Sequence, residues 1–321
     1  MPANKPQNKA FNPGSMLKFA KQNIPLMGLI FLFIFMAIAS PAFLSSFNIL
    51  SVMRQASING IIAFGMTLVI ISGGIDLSVG STLAFSGMVA AVLMASGVPS
   101  SIAILAALLT GATLGGIIGL LISKGKLPPF IATLGGMISI RGLTLILSRG
   151  VPVSRFGNEG LIAWIGRGYV WFIPTPVVVL FTVFAVLSFV MRKTVFGKHV
   201  YAIGGNEKGA LLSGIKVERN KVYIYMISGF MAALAAVILT SRVDSAVPTA
   251  GQMFELYAIA AAVIGGASLS GGRGRMSGTI IGAFIIAIIN NGLNLLGVSA
   301  YIQQLVTGLI IIFAVIADRK K

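Results

Sequence analysis

The chain has 321 residues, 56% of them hydrophobic and only 10% charged, with a mean hydropathy of +0.97 and a formal net charge of +17. This make-up excludes an ordinary soluble domain and marks an integral membrane protein; the lack of cysteine excludes disulfides, thiolate metal sites and cysteine nucleophiles. A positive excess that would suggest nucleic acid in a soluble protein reads here as basic loops kept on one side of a bilayer, so no nucleic-acid partner is expected.

A helix needs about 20 apolar residues to cross the hydrocarbon layer. Cutting the charge-free runs at Gly, Pro and Ser clusters predicts ten spans, at 24–44, 56–73, 79–96, 102–123, 127–147, 173–191, 222–241, 255–271, 276–296 and 299–317. The 39 glycines suit helices that must pack closely in lipid, so the fold class expected is an all-α membrane protein of about ten transmembrane helices. Of the 24 Lys and Arg, 18 then fall on the side of the two termini, five (Arg54, Arg149, Arg155, Arg167, Arg242) on the other, and Arg141 within a span. The positive-inside rule makes both termini cytoplasmic. The organisation expected is a tail over 1–23, a transmembrane domain over 24–317 with a long cytoplasmic loop at 192–221, and a short tail over 318–321. Ala37–Ser40, "AIAS", resembles a signal-peptidase site, but the apolar run exceeds an ordinary h-region and continues to Leu44, so the first span is read as uncleaved.

Along the chain, "ISGGIDLSVGS" (Ile71–Ser81) places Asp76 between apolar, glycine-rich flanks, and between Lys21 and Lys124 only Arg54 and Asp76 are charged. Counting down from Ala56 at about 1.5 Å per residue puts Asp76 near the inner end of the second span. There it caps the third span through the amides of Leu77 to Val79, or else takes part in gating. Arg141, about two-thirds of the way out along the fifth span, is too costly to face lipid and must meet neighbouring carbonyls or an outer vestibule. Gly111, Gly115 and Gly125 repeat the spacing of Gly278, Gly282 and Gly292, a match that fits an inverted repeat. The loop over 192–200 is read as basic surface on lipid phosphates. In "GGNEKGALLSGI", Asn206 is placed to cap a short helix from Glu207 that presents Leu211, Leu212 and Ile215 on one side.

No nucleophile elbow or zinc-protease motif is present, and the single histidine, His199, lies in a basic loop without a second ligand nearby. No catalytic residue, metal site or cofactor is expected. "SLSGGRGR" (Ser268–Arg275) contains the Leu-Ser-Gly-Gly core of an ATPase signature loop, but no P-loop accompanies it, so it is read as a turn and any ATPase as another polypeptide.

Four ordered blocks, "GMTLVIISGGIDLSVGS" (Gly65–Ser81), "YAIGGNEKGALLSGI" (Tyr201–Ile215), "ELYAIAAAVIGGASLSGGRGRMSGT" (Glu255–Thr279) and "NNGLNLLGV" (Asn290–Val298), resemble the membrane permease of bacterial ribose-type ABC importers. The resemblance implies a homodimer in the inner membrane with the cobalamin-importer-like permease fold. It also implies a cytoplasmic ATP-binding subunit with two nucleotide-binding domains and a periplasmic sugar-binding protein. Galactose, xylose, allose and autoinducer-2 permeases share these blocks; the C-terminal third is closest to ribose permeases. The alternatives of another class are an ion-coupled secondary transporter and a passive channel.

In this frame, coupling to the ATPase is assigned to Asn206, Glu207, Leu211, Leu212, Gly214 and Ile215. A neutral sugar needs hydroxyl-compatible groups, for which Asn59, Thr67, Thr82, Ser86, Asn290, Asn291 and Asn294 are available; Asn59, Thr67, Asn290 and Asn294 are the pathway candidates. On the opposite face Arg149, Arg155 and Arg167, with Trp164 and Trp171, form either a lipid-interface belt or a docking surface for the binding protein.

Overall fold

The computed structural model describes residues 24–154, 156–157 and 159–319. Thirteen helices lie among them: α1 (Ile24–Ala39), α2 (Ser46–Ile71), α3 (Val79–Ala95), α4 (Ser100–Ser123), α5 (Pro129–Ser148), α6 (Gly160–Arg167), α7 (Thr175–Lys193), α8 (Val195–Gly205), α9 (Glu207–Leu212), α10 (Val217–Val243), α11 (Phe254–Ile264), α12 (Met276–Leu295) and α13 (Ala300–Arg319). Two-residue ladders pair β1 (Val153–Ser154) with β4 (Ser245–Ala246), and β2 (Tyr169–Val170) with β3 (Ile173–Pro174). A helix occupies each apolar run, but only six (α2, α4, α5, α7, α10 and α12) are long and apolar enough by themselves to cross a membrane.

Three expectations need correction. The helix expected from 56 begins ten residues earlier, because Ser45 accepts the Asn48 amide at 3.4 Å as its cap and Arg54 is accommodated by the ring of Tyr169, 5.1 Å away. The span expected over 255–271 stops at Ile264; Gly265 and Gly266 turn the chain, and a tight loop runs to Arg275 with Gly266, Gly271 and Gly272 at positive φ. Helices α6 and α8 lie in segments read as loops. The Leu-Ser-Gly-Gly string belongs to that 265–275 turn, where the Ser268 amide reaches the Arg273 carbonyl at 3.0 Å.

The centre is formed by α2 and α10. From Ala56 to Ile71 every residue of α2 is buried, so the helix is apolar around its whole circumference, as a protein-enclosed helix must be. Helix α10 packs most extensively on α4, where backbones touch: a methyl group added at Gly111 would lie 2.4 Å from the Gly229 carbonyl oxygen, and at Gly115 2.1 Å from that of Tyr225. This small-residue seam substitutes for the hydrophobic drive that lipid does not supply. The spacing-matched Gly278 and Gly282 press instead on Gly265 and Ala261, at α11 and its C-terminal turn. The glycine match is therefore not a match of packing partners. Helix neighbours nonetheless exchange in pairs: α4 on α10 and α12 on α2, α3 on α10 and α11 on α2, α3 on α4 and α11 on α12, α3 on α5 and α11 on α13. Helices α1 and α7 do not follow the exchange, since α1 packs on α12 and α7 on α2.

Candidate functional site: a buried polar junction and the surface helix beneath it

After Ile71, Gly73 at φ +85° folds the chain back on itself, and the Gly74 amide bonds to the Val69 carbonyl at 3.0 Å. The chain thus climbs again before α3 begins. Asp76 is 1% exposed. Its Oδ1 accepts the Ser78 amide at 3.0 Å and the Ser78 hydroxyl at 2.6 Å, while Oδ2 accepts the Ser228 hydroxyl of α10 at 2.8 Å. The cap position of α3 is Ser78, whose own side chain caps no amide; of the amides from Leu77 to Val79, Asp76 accepts that of Ser78. Ser228 lies eleven residues into α10, roughly 16 Å from its Val217 end at 1.5 Å per residue. Asp76 is therefore near the middle of the bundle, not at the end of the second span, because the Gly73 turn reverses the direction of travel.

The segment after β4 approaches the same level from the opposite side. Gly251 meets Gly80 backbone to backbone: a methyl on Gly80 would stand 2.2 Å from the Gly251 carbonyl oxygen and 2.5 Å from Glu255 Oε2. Helices α3 and α11 both start at this crossing, with Asp76 ahead of one N-terminus and Glu255 in the first turn of the other. A carboxylate at each helix start is favoured by the exposed amides and the helix dipole. Arg141 of α5 closes the junction by donating from Nη1 to the carbonyls of Pro248 at 2.6 Å and Ala250 at 2.9 Å. Of its two expected roles, the bond to neighbouring carbonyls is the one observed, with a loop rather than a helix supplying them.

The pathway candidates divide. Thr67 donates its hydroxyl to the Ala63 carbonyl at 2.7 Å and shares a 2.7 Å hydrogen bond with Thr279 of α12. Asn291 is paired with Asn48 through two amide bonds of 2.7 and 3.1 Å, and Asn294 accepts from Gln303 at 2.9 Å. Asn59 and Asn290 are buried, 4% and 7% exposed, and take no part in these side-chain pairs. Thr82 and Ser86 are buried in α3, and the Ser86 hydroxyl is unpartnered among the described residues.

The 192–221 segment is ordered as two short helices. Asn206 caps α9 by accepting the Gly209 amide at 2.9 Å, and Gly214 at φ +81° ends it, with the Ile215 amide returning to the Ala210 carbonyl at 3.1 Å. Glu207 pairs with Lys221 at 2.7 Å. Leu211 and Leu212 are 63% and 89% exposed. Ile215 is not on their side: it turns inward onto Ile203, Ala210 and Val217, because the left-handed turn at Gly214 redirects the chain. Leu211 borders a cavity of about 540 Å³ that also meets Lys126, Pro129 and Glu218. Directly before α9, Gly204 touches the end of α2; a methyl there would lie 1.7 Å from the Ile71 carbonyl oxygen, which also accepts the Gly272 amide at 2.8 Å. Five residues past that carbonyl is Asp76.

On the other face, Arg149 ends α5 in a left-handed conformation at φ 52°, Arg167 is exposed in the last turn of α6, and Arg155 lies outside the described residues. Trp164 and Trp171 are exposed, and Arg54 donates to the Tyr169 hydroxyl.

Sequence reasoning missed Ser228, Thr279 and Asn48, and the contact of Gly204 with Ile71, none of which carries a local signal. Glu255 had one: between Asp244 and Arg273 it is the only charged residue, the same isolation that drew attention to Asp76.

Residues 48–315 match the family model described as the permease component of the branched-chain amino acid transport system. The ribose import permease of Bacillus subtilis is 54% identical over 297 residues, covering 92% of each chain, and that of Escherichia coli K12 is 45% identical over 92% of this chain and 93% of its own. The chain belongs to this permease family, in its ribose-type branch. The D-allose permease of Escherichia coli is also related, at 42% identity over 89% of this chain and 87% of its own. No solved structure matches. As a family member with six membrane-length apolar helices, the protein is a multi-pass component of the bacterial inner membrane and belongs to a transport rather than a catalytic family.

Proposed function

We propose that this chain is the membrane subunit of an ABC importer that carries a monosaccharide, ribose in the first place, across the inner membrane by alternating access. The observation that carries the mechanism is α9: a capped surface helix with two bare leucines in a basic segment, joined through the backbone contact of Gly204 with Ile71 to the turn that leads to Asp76. Such a helix suits the groove of a cytoplasmic ATP-binding subunit with two nucleotide-binding domains, since exposed leucines mark an interaction surface. The substrate assignment rests on the names of the relatives. The partners are that ATPase, a periplasmic sugar-binding protein, membrane lipid and a second copy of the chain.

In this reading α1 to α5, α7 and α10 to α13 make ten passes with both termini cytoplasmic, in the cobalamin-importer-like arrangement. The paired exchange of helix neighbours supports an inverted repeat relating α2–α5 to α10–α13, with short helices α3 and α11 starting from the central crossing. Asn59 and Asn290, outside the side-chain pairs that hold Thr67, Asn291 and Asn294, are the members of the pathway set that meet a sugar hydroxyl. Residues 206–215 transmit the motion, with Leu211 and Leu212 at the contact and Gly214 and Ile215 holding the helix in place. Arg149, Arg155 and Arg167 form the docking face for the binding protein.

The test is uptake of labelled ribose into proteoliposomes holding the permease, the ATPase and external binding protein. ATP-dependent accumulation supports the reading. Accumulation by the permease alone on an ion gradient would assign the chain to secondary transport instead.

A further inference from the structure

The C-terminal end of α7, helix α8 and the 265–275 turn enclose a cavity of about 790 Å³ lined by Arg192, Tyr201, Arg273 and Arg275 together with glycine backbone. Three guanidinium groups from two separate segments border it, and among the described residues no carboxylate does. Arg192, Arg273 and Arg275 are exposed, and like charges gathered without a counter-ion repel one another, so an anion bound among them relieves that repulsion. Tyr201 fixes the cavity wall by donating its hydroxyl to the Gly274 carbonyl at 2.8 Å. Burial pushes that phenol up, and the nearby positive charges of Arg192 and Arg275 draw it part of the way back down.

The neighbouring surface decides between a free anion and a lipid. On α7, Phe181 and Phe189 are 48% and 63% exposed and stand on one helical face, at a spacing of eight residues, with Arg192 three residues further along the same stripe. In a bilayer that stripe faces acyl chains, and it ends at the first arginine of the cavity. We infer that this cavity is a binding site for the phosphate of an anionic phospholipid headgroup, with Arg192, Arg273 and Arg275 as the phosphate ligands and the Phe181–Phe189 stripe as the bed of an acyl chain. Guanidinium forks match phosphate oxygens in paired hydrogen bonds, and basic pockets between membrane helices are suited to such headgroups. The assignment does not depend on the transported substrate.

The permease purified in detergent, titrated with phosphatidylglycerol and followed by native mass spectrometry, reads this site directly. The variant Arg192→Gln with Arg275→Gln should bind the lipid at least about 10-fold more weakly, Arg192→Lys with Arg275→Lys should recover part of the loss, and Arg219→Gln, an exposed arginine outside the cavity, should bind as wild type. Phosphatidylcholine should bind equally weakly to all of them. Undiminished phosphatidylglycerol binding by the Gln pair would overturn the assignment. Displacement of the lipid by glycerol phosphate at equal concentration would make this a free-phosphate site, and loss of the lipid on assembly with the ATPase would make the cavity a protein contact; either result also overturns it.

Discussion

Asp76 and Ser228 meet at 2.8 Å across 152 residues of sequence, carboxylate to hydroxyl, in the middle of the bundle where α3 begins against α10. With the Ser78 amide and hydroxyl on the other oxygen, every hydrogen bond of this acid among the described residues is one that it accepts, and no cation among them pairs with it. These bonds tie the start of α3 to the centre of α10.

Asp76→Asn should therefore keep most ribose uptake, since an amide oxygen still accepts from Ser78 and a rotated Ser228 hydroxyl can accept from the amide. Asp76→Leu leaves the Ser78 amide and Ser228 hydroxyl buried without partners, at about 1–3 kcal/mol each, and should reduce assembly or lower Tm. Uptake and gel-filtration profiles of both variants check this. A well-assembled but inactive Asp76→Asn would show that the charge itself is used in the transport cycle.

Gly204 and Gly205 provide an internal comparison. A methyl at Gly204 collides with the Ile71 carbonyl at 1.7 Å, whereas nothing lies within 4 Å of one at Gly205. Overpacking of this kind costs about 1–3 kcal/mol. Gly204→Ala should lower Tm by at least about 2 °C and uncouple ATP hydrolysis from uptake, and Gly205→Ala should do neither. Equal behaviour of the two variants would remove the backbone contact from the coupling route.

The sequence made the long apolar helices legible, because a run such as Ala56 to Ile71 can be satisfied only inside a membrane bundle. Ends were harder to read. A charge such as Arg54 marks the end of an apolar run, but its stacking on Tyr169 lets it lie within α2. The run from Glu255 to Gly271 read as one span because alanine and glycine are apolar, whereas Gly265 and Gly266 break the helix after eleven residues. Asp76 stood out by isolation, but its partner Ser228 is one hydroxyl among many, and the fold-back at Gly73 that unites them is a long-range consequence of packing. The leucines of α9 were legible as an unexplained apolar pair; the inward turn of Ile215 depends on the left-handed Gly214.

Leu211→Asp should abolish uptake and weaken co-purification of the ATPase while leaving the permease folded. Leu211 is 63% exposed, so the change costs the isolated subunit no more than about 0.5 kcal/mol. Normal co-purification and normal uptake would place the ATPase contact on another segment.

Arg149→Glu combined with Arg155→Glu should slow association of the sugar-binding protein and make it less sensitive to salt, with basal ATP hydrolysis by the complex unchanged. Charge steering of this kind is screened beyond about 8 Å at physiological ionic strength, so the wild-type rate should fall as salt rises. Surface plasmon resonance on nanodisc-held complex across a salt series measures both. A salt-independent rate that ignores both reversals would assign these arginines to the lipid interface.

The measurement closest to the central claim is ribose accumulation in proteoliposomes in three compositions: permease alone, permease with ATPase, and both with the binding protein. Accumulation that requires all three and ATP, and that Leu211→Asp abolishes, is the result expected of a permease driven through α9. Accumulation by the permease alone, or by the complete complex carrying Leu211→Asp, would contradict it.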